Sequence, residues 1–156
     1  MIILSKTLLT EIRIHAREAY PEECCGALLG DMDFDLDRRK VTKNIRIENE
    51  SLENKHRRFA ITPEDYKNIE DYAKREGLSL LGFYHSHPDH PAKPSETDLK
   101  YAWPNFSYII ISVTKSESSQ IASFQLNLDQ HQFEPEKIDR KSTRLNSSHL
   151  VISYAV

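Results

Sequence analysis

The spacing of apolar residues along the chain predicts two long helices. In residues 7–19 the apolar side chains recur at helical spacing, as Leu8, Leu9, Ile12 and Ala16. Pro21 then suits the end of that helix. A second helix is predicted to begin after Thr62, because proline and two acids follow this N-cap residue, and to run to about Arg75. Gly77 suits its C-terminal cap.

Shorter apolar or alternating stretches predict strands. They cover residues 23–29, 39–48, 78–87, 108–113 and 121–126, and residues 132–133 continue the sheet. A short helix is predicted to begin at Ser95 and to end before Pro104, whereas residues 49–58 are polar without a period and predict a loop. Because helices and strands are interleaved, the fold class is α/β or α+β with a mixed sheet.

Composition narrows the class of protein. With 156 residues, 38% of them apolar and 29% charged, the chain suits a single soluble globular domain. A net charge of −3 gives no indication of nucleic-acid binding, and no apolar stretch has the length of a membrane span. The N-terminal residues lack the basic segment and cleavage site of a secretory signal. The only cysteines, Cys24 and Cys25, are adjacent, which predicts free thiols and a cytoplasmic location.

The C-terminal segment 139–156 does not resemble part of a protein domain. Residues 139–149 and 152–156 match the in-frame translation of a widely used short-read sequencing adapter, with a variable index between them. We therefore expect the native domain to cover residues 1–138, and we exclude the segment from fold prediction as one excludes a fusion scar. The alternative is a native C-terminal strand with the sequence VISYAV.

Two histidines stand at the end of a predicted strand. His85 and His87 are two residues apart, so their side chains project from the same face of that strand. The residues before them are largely apolar and include Leu80, Leu81 and Phe83. The pair therefore emerges from a buried and rigid element, where ligands keep their positions. Two imidazoles placed in this way can share one metal ion.

The sequence Ser95-Glu-Thr-Asp98 follows after a loop that contains three prolines. One interpretation is a capping box at the start of the short helix. The other is that Asp98 reaches back over the strand end as a third ligand. Two histidines, one carboxylate and an open fourth position are typical of catalytic zinc. The same set of ligands also suits non-haem iron.

Hydrolysis at such a metal also needs a general base. Glu22 and Glu23 precede the buried stretch 24–29 and are the candidates, although an acid in this position is also typical of a simple strand start. Other polar residues near the histidines have plainer interpretations. His90 is expected to be exposed in the loop, and Ser86 to point away from the metal as a structural residue.

These residues together resemble the signature of the JAMM (MPN-plus) metallopeptidases. That signature is a glutamate on an early strand, then H-x-H-P, then S-x-x-D after a short loop. Here it reads Glu23, His85-Ser-His-Pro88 and Ser95-Glu-Thr-Asp98. The resemblance covers residues 1–138 and implies a mixed, curved sheet flanked by helices, similar to cytidine deaminases. The H-x-E and P-C-x-x-C motifs of the deaminases themselves are absent from the sequence.

The resemblance also implies roles for individual residues. Three of them would bind Zn²⁺, with water as the fourth ligand: His85, His87 and Asp98. Glu23, rather than Glu22, would be the general base, because the family's glutamate lies seven residues before the glycine that closes the strand, here Gly30. Ser95 would donate a hydrogen bond to the tetrahedral oxyanion.

The family hydrolyses bonds after the C-terminal tail of ubiquitin-like proteins, and a chain this short is most similar to its stand-alone prokaryotic members. The resemblance therefore implies that the partner is a ubiquitin-like or sulfur-carrier protein, cleaved either from a peptide extension or from cysteine. The charged stretch 48–58 would receive that partner or form a solvated loop. The alternatives are a non-catalytic MPN-type protein-binding module, an iron oxygenase, and a cell-wall or phage-tail peptidase.

Overall fold

The computed structural model describes residues 1–48 and 61–140. Its helices are α1 (Lys6–Ala19), α2 (Pro63–Arg75) and α3 (Glu96–Tyr101). Its strands are β1 (Ile2–Ile3), β2 (Cys25–Asp33), β3 (Arg38–Ile47), β4 (Ser79–Pro88), β5 (Ser107–Val113), β6 (Ser118–Asn127), β7 (Gln132–Glu136) and β8 (Ile138–Asp139). The predicted loop 49–58 and residues 141–156 of the adapter-like segment lie outside the described residues.

The helices begin after residues whose side chains accept hydrogen bonds from the free backbone N–H groups of the first turn. Thr62 accepts a hydrogen bond from the backbone N–H of Asp65 at 3.0 Å, and proline and acids follow it as predicted. Past the end of α2, Gly77 has a φ of 68°, a left-handed conformation that glycine adopts without strain. No helix in the described ranges is long and apolar enough to cross a membrane.

The strands form one mixed sheet in the order β7-β6-β5-β4-β2-β3-β1-β8. The pair β4–β5 is parallel, whereas β4 runs antiparallel to β2. Only Lys137 separates β7 from β8, although these two strands lie at opposite ends of that order. The sheet therefore curves round until its two ends meet, and the predicted curved mixed sheet with flanking helices is confirmed.

A buried ion pair joins the two ends of the sheet. The guanidinium of Arg39 on β3 lies 3.5 Å from the carboxylate of Glu136 at the end of β7. The side chains of these residues are only 7% and 3% exposed. Ser123 on β6 donates a further hydrogen bond to Glu136 at 2.8 Å. The pair and its hydrogen bond thus link strands that are far apart in the strand order.

Apolar side chains pack on both faces of the sheet. One cluster joins α1 to one face and includes Leu9, Ile12, Leu28 and Tyr84. The other joins α2 to the opposite face and includes Ile69, Ala73, Ala27 and Phe83. Because side chains alternate along a strand, His85 and His87 follow Phe83 on the α2 side of β4, and Ser86 follows Tyr84 on the α1 side.

Candidate metal centre

Three donor groups meet at the carboxyl end of β4. The Nε2 atoms of His85 and His87 lie 3.1 Å apart. The carboxylate of Asp98 lies between them, with Oδ1 3.2 Å from His85 Nε2 and Oδ2 3.2 Å from His87 Nε2. Both histidines are buried. Within the described part of the chain, these residues form the one cluster of three or more such groups with the spacing of a metal site.

The spacing of the donors fits a small tetrahedral cation. Bonds of about 2.0–2.1 Å at a tetrahedral angle hold neighbouring ligand atoms about 3.3 Å apart. The two imidazole nitrogens are 3.1 Å apart, close to that value, and each lies 3.2 Å from a different oxygen of Asp98. The donor set of two imidazoles and one carboxylate is also the kind that Zn²⁺ accepts.

A hydrogen bond to the backbone fixes the orientation of the His87 ring. It is made on the side of the ring that faces away from His85 and Asp98. The Nδ1 atom of His87 lies 3.0 Å from the carbonyl oxygen of Pro91. A carbonyl oxygen only accepts, so Nδ1 carries a hydrogen; the neutral ring then turns its Nε2 lone pair toward the other donors, and the protonated ring donates from Nε2 to Asp98. Backbone partners of this kind commonly orient metal-binding histidines. Every residue has a backbone carbonyl, so the pattern of side chains along the sequence could not predict this contact.

The Asp98 carboxylate is at once part of the capping box of α3 and the third donor group of the cluster. The hydroxyl oxygen of Ser95 accepts the backbone N–H of Asp98 at 3.0 Å, and Asp98 Oδ2 accepts the backbone N–H of Ser95 at 2.8 Å. The two interpretations of Ser95-Glu-Thr-Asp98 are therefore compatible in this structure. The cap holds the Asp98 carboxylate in the orientation that brings it to the two histidines.

Charge and hydrogen bonding shift the titration of these groups. Burial acts to raise the pKa of Asp98, but hydrogen bonds from His85 and His87 hold that pKa well below its usual range. Burial acts to lower the pKa of His87, but the hydrogen bond to Asp98 and the charge of that carboxylate raise it instead. The cluster therefore favours an ionised Asp98, which is the form that binds a cation.

Glu23 lies two residues before the neighbouring strand β2, on the side of the histidines. β2 pairs with β4 so that Cys25 is opposite His85, and continuing this register puts Glu23 opposite His87. Glu23 is only 8% exposed. Burial raises its pKa to about 6, an effect that the nearby imidazoles partly offset. Glu22, the other candidate base, is half-buried.

A cleft of about 230 Å³ opens beside these groups. Glu23, His85 and Asp98 line one part of it. Much of the remaining wall is aromatic and includes Phe83, Tyr101, Trp103, Tyr108 and Phe133. Thr97 also lines the cleft, whereas Ser95 is exposed and lies outside that lining. An extended apolar segment could therefore reach the donors along aromatic walls.

The residues with plainer interpretations lie where they were expected. His90 is exposed in the loop after β4, and Ser86 is buried on the α1 side of the strand. Both cysteines are free and buried, and burial raises the pKa of the Cys24 thiol to about 11. Sequence reasoning missed two contacts near Glu23, the hydrogen bonds of Ser86 and of Tyr20, because they join residues more than 60 positions apart.

A closed mixed sheet that presents two histidines, an aspartate and a buried glutamate at one strand end is the arrangement expected of a JAMM domain. The family model of prokaryotic homologs of the JAB domain matches residues 5–127 of the chain. The chain therefore belongs to this family, and the predicted JAMM (MPN-plus) resemblance is confirmed.

Three relatives share 33% to 37% identity with parts of this chain. A desampylase of Haloferax volcanii is 37% identical over 103 residues, which is 63% of this chain and 70% of the relative. A probable TtuB-protein conjugate cleaving protease of Thermus thermophilus is 33% identical over 70% of this chain and 69% of its own length. The tail tip assembly protein K of Escherichia phage N15 is 33% identical over 56% of this chain, but only 30% of that longer protein is matched.

Solved structures resemble the whole described domain. The solution structure of a protein from Desulfitobacterium hafniense has a TM-score of 0.77 and 34% identity, and covers 90% of this chain and 93% of that one. A JAB1/MPN domain protein from Archaeoglobus fulgidus has a TM-score of 0.55 and 22% identity over 90% of this chain and 98% of its own. The second likeness confirms the predicted JAMM/MPN fold.

Proposed function

We propose that the protein is a zinc-dependent JAMM-type metallopeptidase that cleaves after the C-terminal tail of a ubiquitin-like or sulfur-carrier protein. The bonds it hydrolyses are peptide, isopeptide or related amide bonds. One observation carries the proposal: the cluster of two imidazoles and one carboxylate lies beside a cleft that the buried Glu23 lines together with His85 and Asp98. A buried acid facing a cation site is the pairing that hydrolysis of an amide needs.

His85, His87 and Asp98 would hold the zinc ion, because their donor atoms have the chemistry and the spacing that this ion accepts. A bound zinc would polarise the scissile carbonyl and lower the pKa of a water molecule. Iron suits the same donors, so the metal that co-purifies with the protein distinguishes a zinc hydrolase from an iron enzyme. The free, buried thiols of Cys24 and Cys25 support a cytoplasmic location as part of the proposal.

Glu23 would act as general base and then as general acid. With a pKa of about 6 its carboxyl is largely ionised at pH 7 and can accept a proton from the attacking water. It would then donate that proton to the departing amine. Ser95 would stabilise the oxyanion, because its oxygen accepts the Asp98 N–H through a lone pair and its hydroxyl hydrogen stays available to donate.

The proposed substrate class draws on the relatives and on the shape of the cleft. A relative named for cleaving TtuB-protein conjugates supports a protein conjugate as the substrate. The aromatic walls beside Glu23 would receive the extended tail of the carrier. A phage tail tip assembly protein is also related, but the larger part of its length has no counterpart here.

The substrate proposal is tested with one ubiquitin-fold sulfur carrier prepared in three forms. The first has a peptide extension past its terminal Gly-Gly, the second carries cysteine in amide linkage at that terminus, and the third has the extension with Gly-Gly replaced by Ala-Ala. Cleavage of the first or second form, but not of the third, supports the proposal and distinguishes peptide trimming from cysteine release. Equal cleavage of all three forms, or of an unrelated peptide, contradicts tail recognition.

A further inference from the structure

We propose that Ser86, the residue between the two histidines, is a positioning residue that fixes Glu23 relative to His85 and His87. The inference rests on the proposed function, in which Glu23 is the base. Ser86 does not line the cleft and cannot act on a substrate directly, because its side chain points to the opposite face of β4. Its effect on the reaction must therefore pass through the residues that it holds.

The hydroxyl of Ser86 takes the place of a backbone hydrogen bond. The N–H of Ser86 donates to the carbonyl oxygen of Cys24 at 3.0 Å, as in a regular antiparallel pair. A regular pair would return the second bond from the Cys24 N–H to the backbone oxygen of Ser86. Here the Cys24 N–H donates instead to Ser86 Oγ at 2.8 Å. Ser86 is 0% exposed and Cys24 is buried, so water cannot replace this bond.

This bond holds Glu23 because the residue lies beyond the end of its strand. β2 begins at Cys25, which pairs with His85, and the backbone before it is outside the regular ladder. Cys24 is the residue directly after Glu23 and is tied to the residue between the two ligands. Without the hydroxyl, the Cys24 amide would lose its partner in a buried position, and the backbone would shift to recover one. Such a shift would move the Glu23 carboxyl away from the donors.

A second contact ties the chain on the other side of Glu23. The hydroxyl of Tyr20 donates to the carboxylate of Asp89, with distances of 2.9 and 3.1 Å to its two oxygens. Asp89 is itself anchored, because its N–H donates to the carbonyl oxygen of Val113 on β5 at 2.8 Å. The segment that carries Glu23 is therefore held on one side by Ser86, between the two histidines, and on the other by Asp89, two residues after His87.

The anchoring is tested first by amide hydrogen exchange, measured by NMR on the metal-free full chain. Ser86→Ala should raise the exchange rate of the Cys24 amide by about tenfold or more, because the amide loses its acceptor. Ser123→Ala is the matched control: that buried serine also makes one side-chain hydrogen bond, but it bonds to Glu136 at the junction of the sheet ends. Unchanged exchange at Cys24 in Ser86→Ala overturns the proposal.

The effect on the reaction is tested with zinc-loaded protein and the extended sulfur carrier. Ser86→Ala should lower kcat by about tenfold or more, since small misplacements of a catalytic group have effects of this size. Its zinc content and KM should match those of the wild type and of Ser123→Ala. In a Glu23→Gln background, where the residual cleavage is measured at high enzyme concentration, the same substitution should cause no further loss. An equal loss in both backgrounds would show that Ser86 acts on something other than Glu23.

If Ser86→Ala does not fold, Tyr20→Phe is tested instead. This substitution removes only the Tyr20 hydroxyl, whose hydrogen bond to Asp89 is exposed. It should lower kcat by several-fold in the wild-type background and leave the Glu23→Gln protein unchanged. Losses that are equal in the two backgrounds overturn the proposal here as well. If the wild type itself cleaves no form of the carrier, the proposed function fails, and the exchange experiment still decides whether Ser86 anchors the segment that carries Glu23.

Discussion

At the scale of single residues, the buried carboxyl of Glu23 links the proposed chemistry to stability. Its pKa is raised by burial to about 6, so the folded state prefers the protonated acid. In the unfolded chain the carboxyl ionises near its model value of 4.5. The ionised carboxyl therefore lowers the free energy of unfolding. This loss of stability develops as the pH rises from about 4.5 to about 6.

Glu23→Gln should consequently stabilise the metal-free protein above pH 6. The gain should be on the order of 1–2 kcal/mol, grow between about pH 4.5 and 6, and disappear at lower pH, where both states of the wild type are protonated. Denaturant unfolding at a series of pH values measures it. Glu22→Gln, at the half-buried neighbouring acid, is the matched control and should show a smaller change. A pH-independent gain would mean that burial does not raise the pKa of Glu23.

The donors could be predicted from the sequence at this scale, but their supports could not. His85 and His87 follow from the alternation of side chains on a strand, and Asp98 from the S-x-x-D pattern together with the family resemblance. The Pro91 carbonyl that orients His87 and the Cys24 amide that bonds Ser86 are backbone groups. Backbone groups are the same at every position, so only the fold shows where they lie.

At the scale of elements, the start of α3 connects helix capping with metal affinity. Ser95→Ala removes the N-cap and should lower the free energy of unfolding by about 1 kcal/mol. Because the cap also orients the Asp98 carboxylate, zinc affinity should fall by about tenfold. Competition with a chelator of known affinity measures that change.

Thr62→Ala is the matched control for this prediction. Thr62 caps α2 through the same contact, at the same 3.0 Å, but holds no ligand. It should reduce stability by a similar amount and leave zinc affinity unchanged. If both variants lose zinc equally, the effect of Ser95→Ala is one of general stability and the link between cap and ligand is wrong.

The elements themselves show where sequence patterns succeed. α1, α2 and the strands β2 to β6 were predicted because each is long enough for a period of two or about 3.6 to appear. β1 and β8 were missed because a strand of two residues has no period. The short stretch 132–133 predicted the start of β7, but its pairing with β6 depends on the turn between them. Local pattern therefore identifies the strands that carry the site and misses those that close the sheet.

At the scale of the whole molecule, the junction between the sheet ends should be the point most sensitive to loss of charge. Arg39→Ala removes the guanidinium partner of the buried Glu136 carboxylate, which keeps the N-terminal ammonium of Met1 at 3.4 Å, and should lower the free energy of unfolding by about 2–3 kcal/mol. The surface pair of Arg46 and Glu18 is the control, since both of its side chains are more than half exposed. Arg46→Ala should cost about 1 kcal/mol or less. Equal losses in thermal or denaturant unfolding would contradict a buried, closing ion pair.

The end of the domain gives a second test at this scale. We propose that the adapter-like segment is not native, although the structure includes Asp139 in β8, one residue beyond the expected boundary at Ile138. Leu4 donates its N–H to the carbonyl oxygen of Asp139, and Ile138 packs on the core. A chain of residues 1–140 should unfold at the same temperature as the full chain. A chain of residues 1–136 should be less stable by about 2 kcal/mol or more, because it lacks β8.

If the 1–140 chain is clearly less stable than the full chain, residues 141–156 contribute to the fold and the adapter interpretation is wrong. If the 1–136 chain keeps full stability, β8 does not close the sheet. Circular dichroism during heating distinguishes these results.

The most direct test of the central claim measures metal and cleavage together in the wild type and in Glu23→Gln. Elemental analysis gives the metal bound by each folded protein, and the extended sulfur carrier reports hydrolysis. The account predicts about one zinc per chain in both proteins, because Glu23 is not one of the three donors, with cleavage by Glu23→Gln lowered about a hundredfold or more. No bound metal in folded wild type, or undiminished cleavage by Glu23→Gln, would contradict the zinc hydrolase with Glu23 as its base.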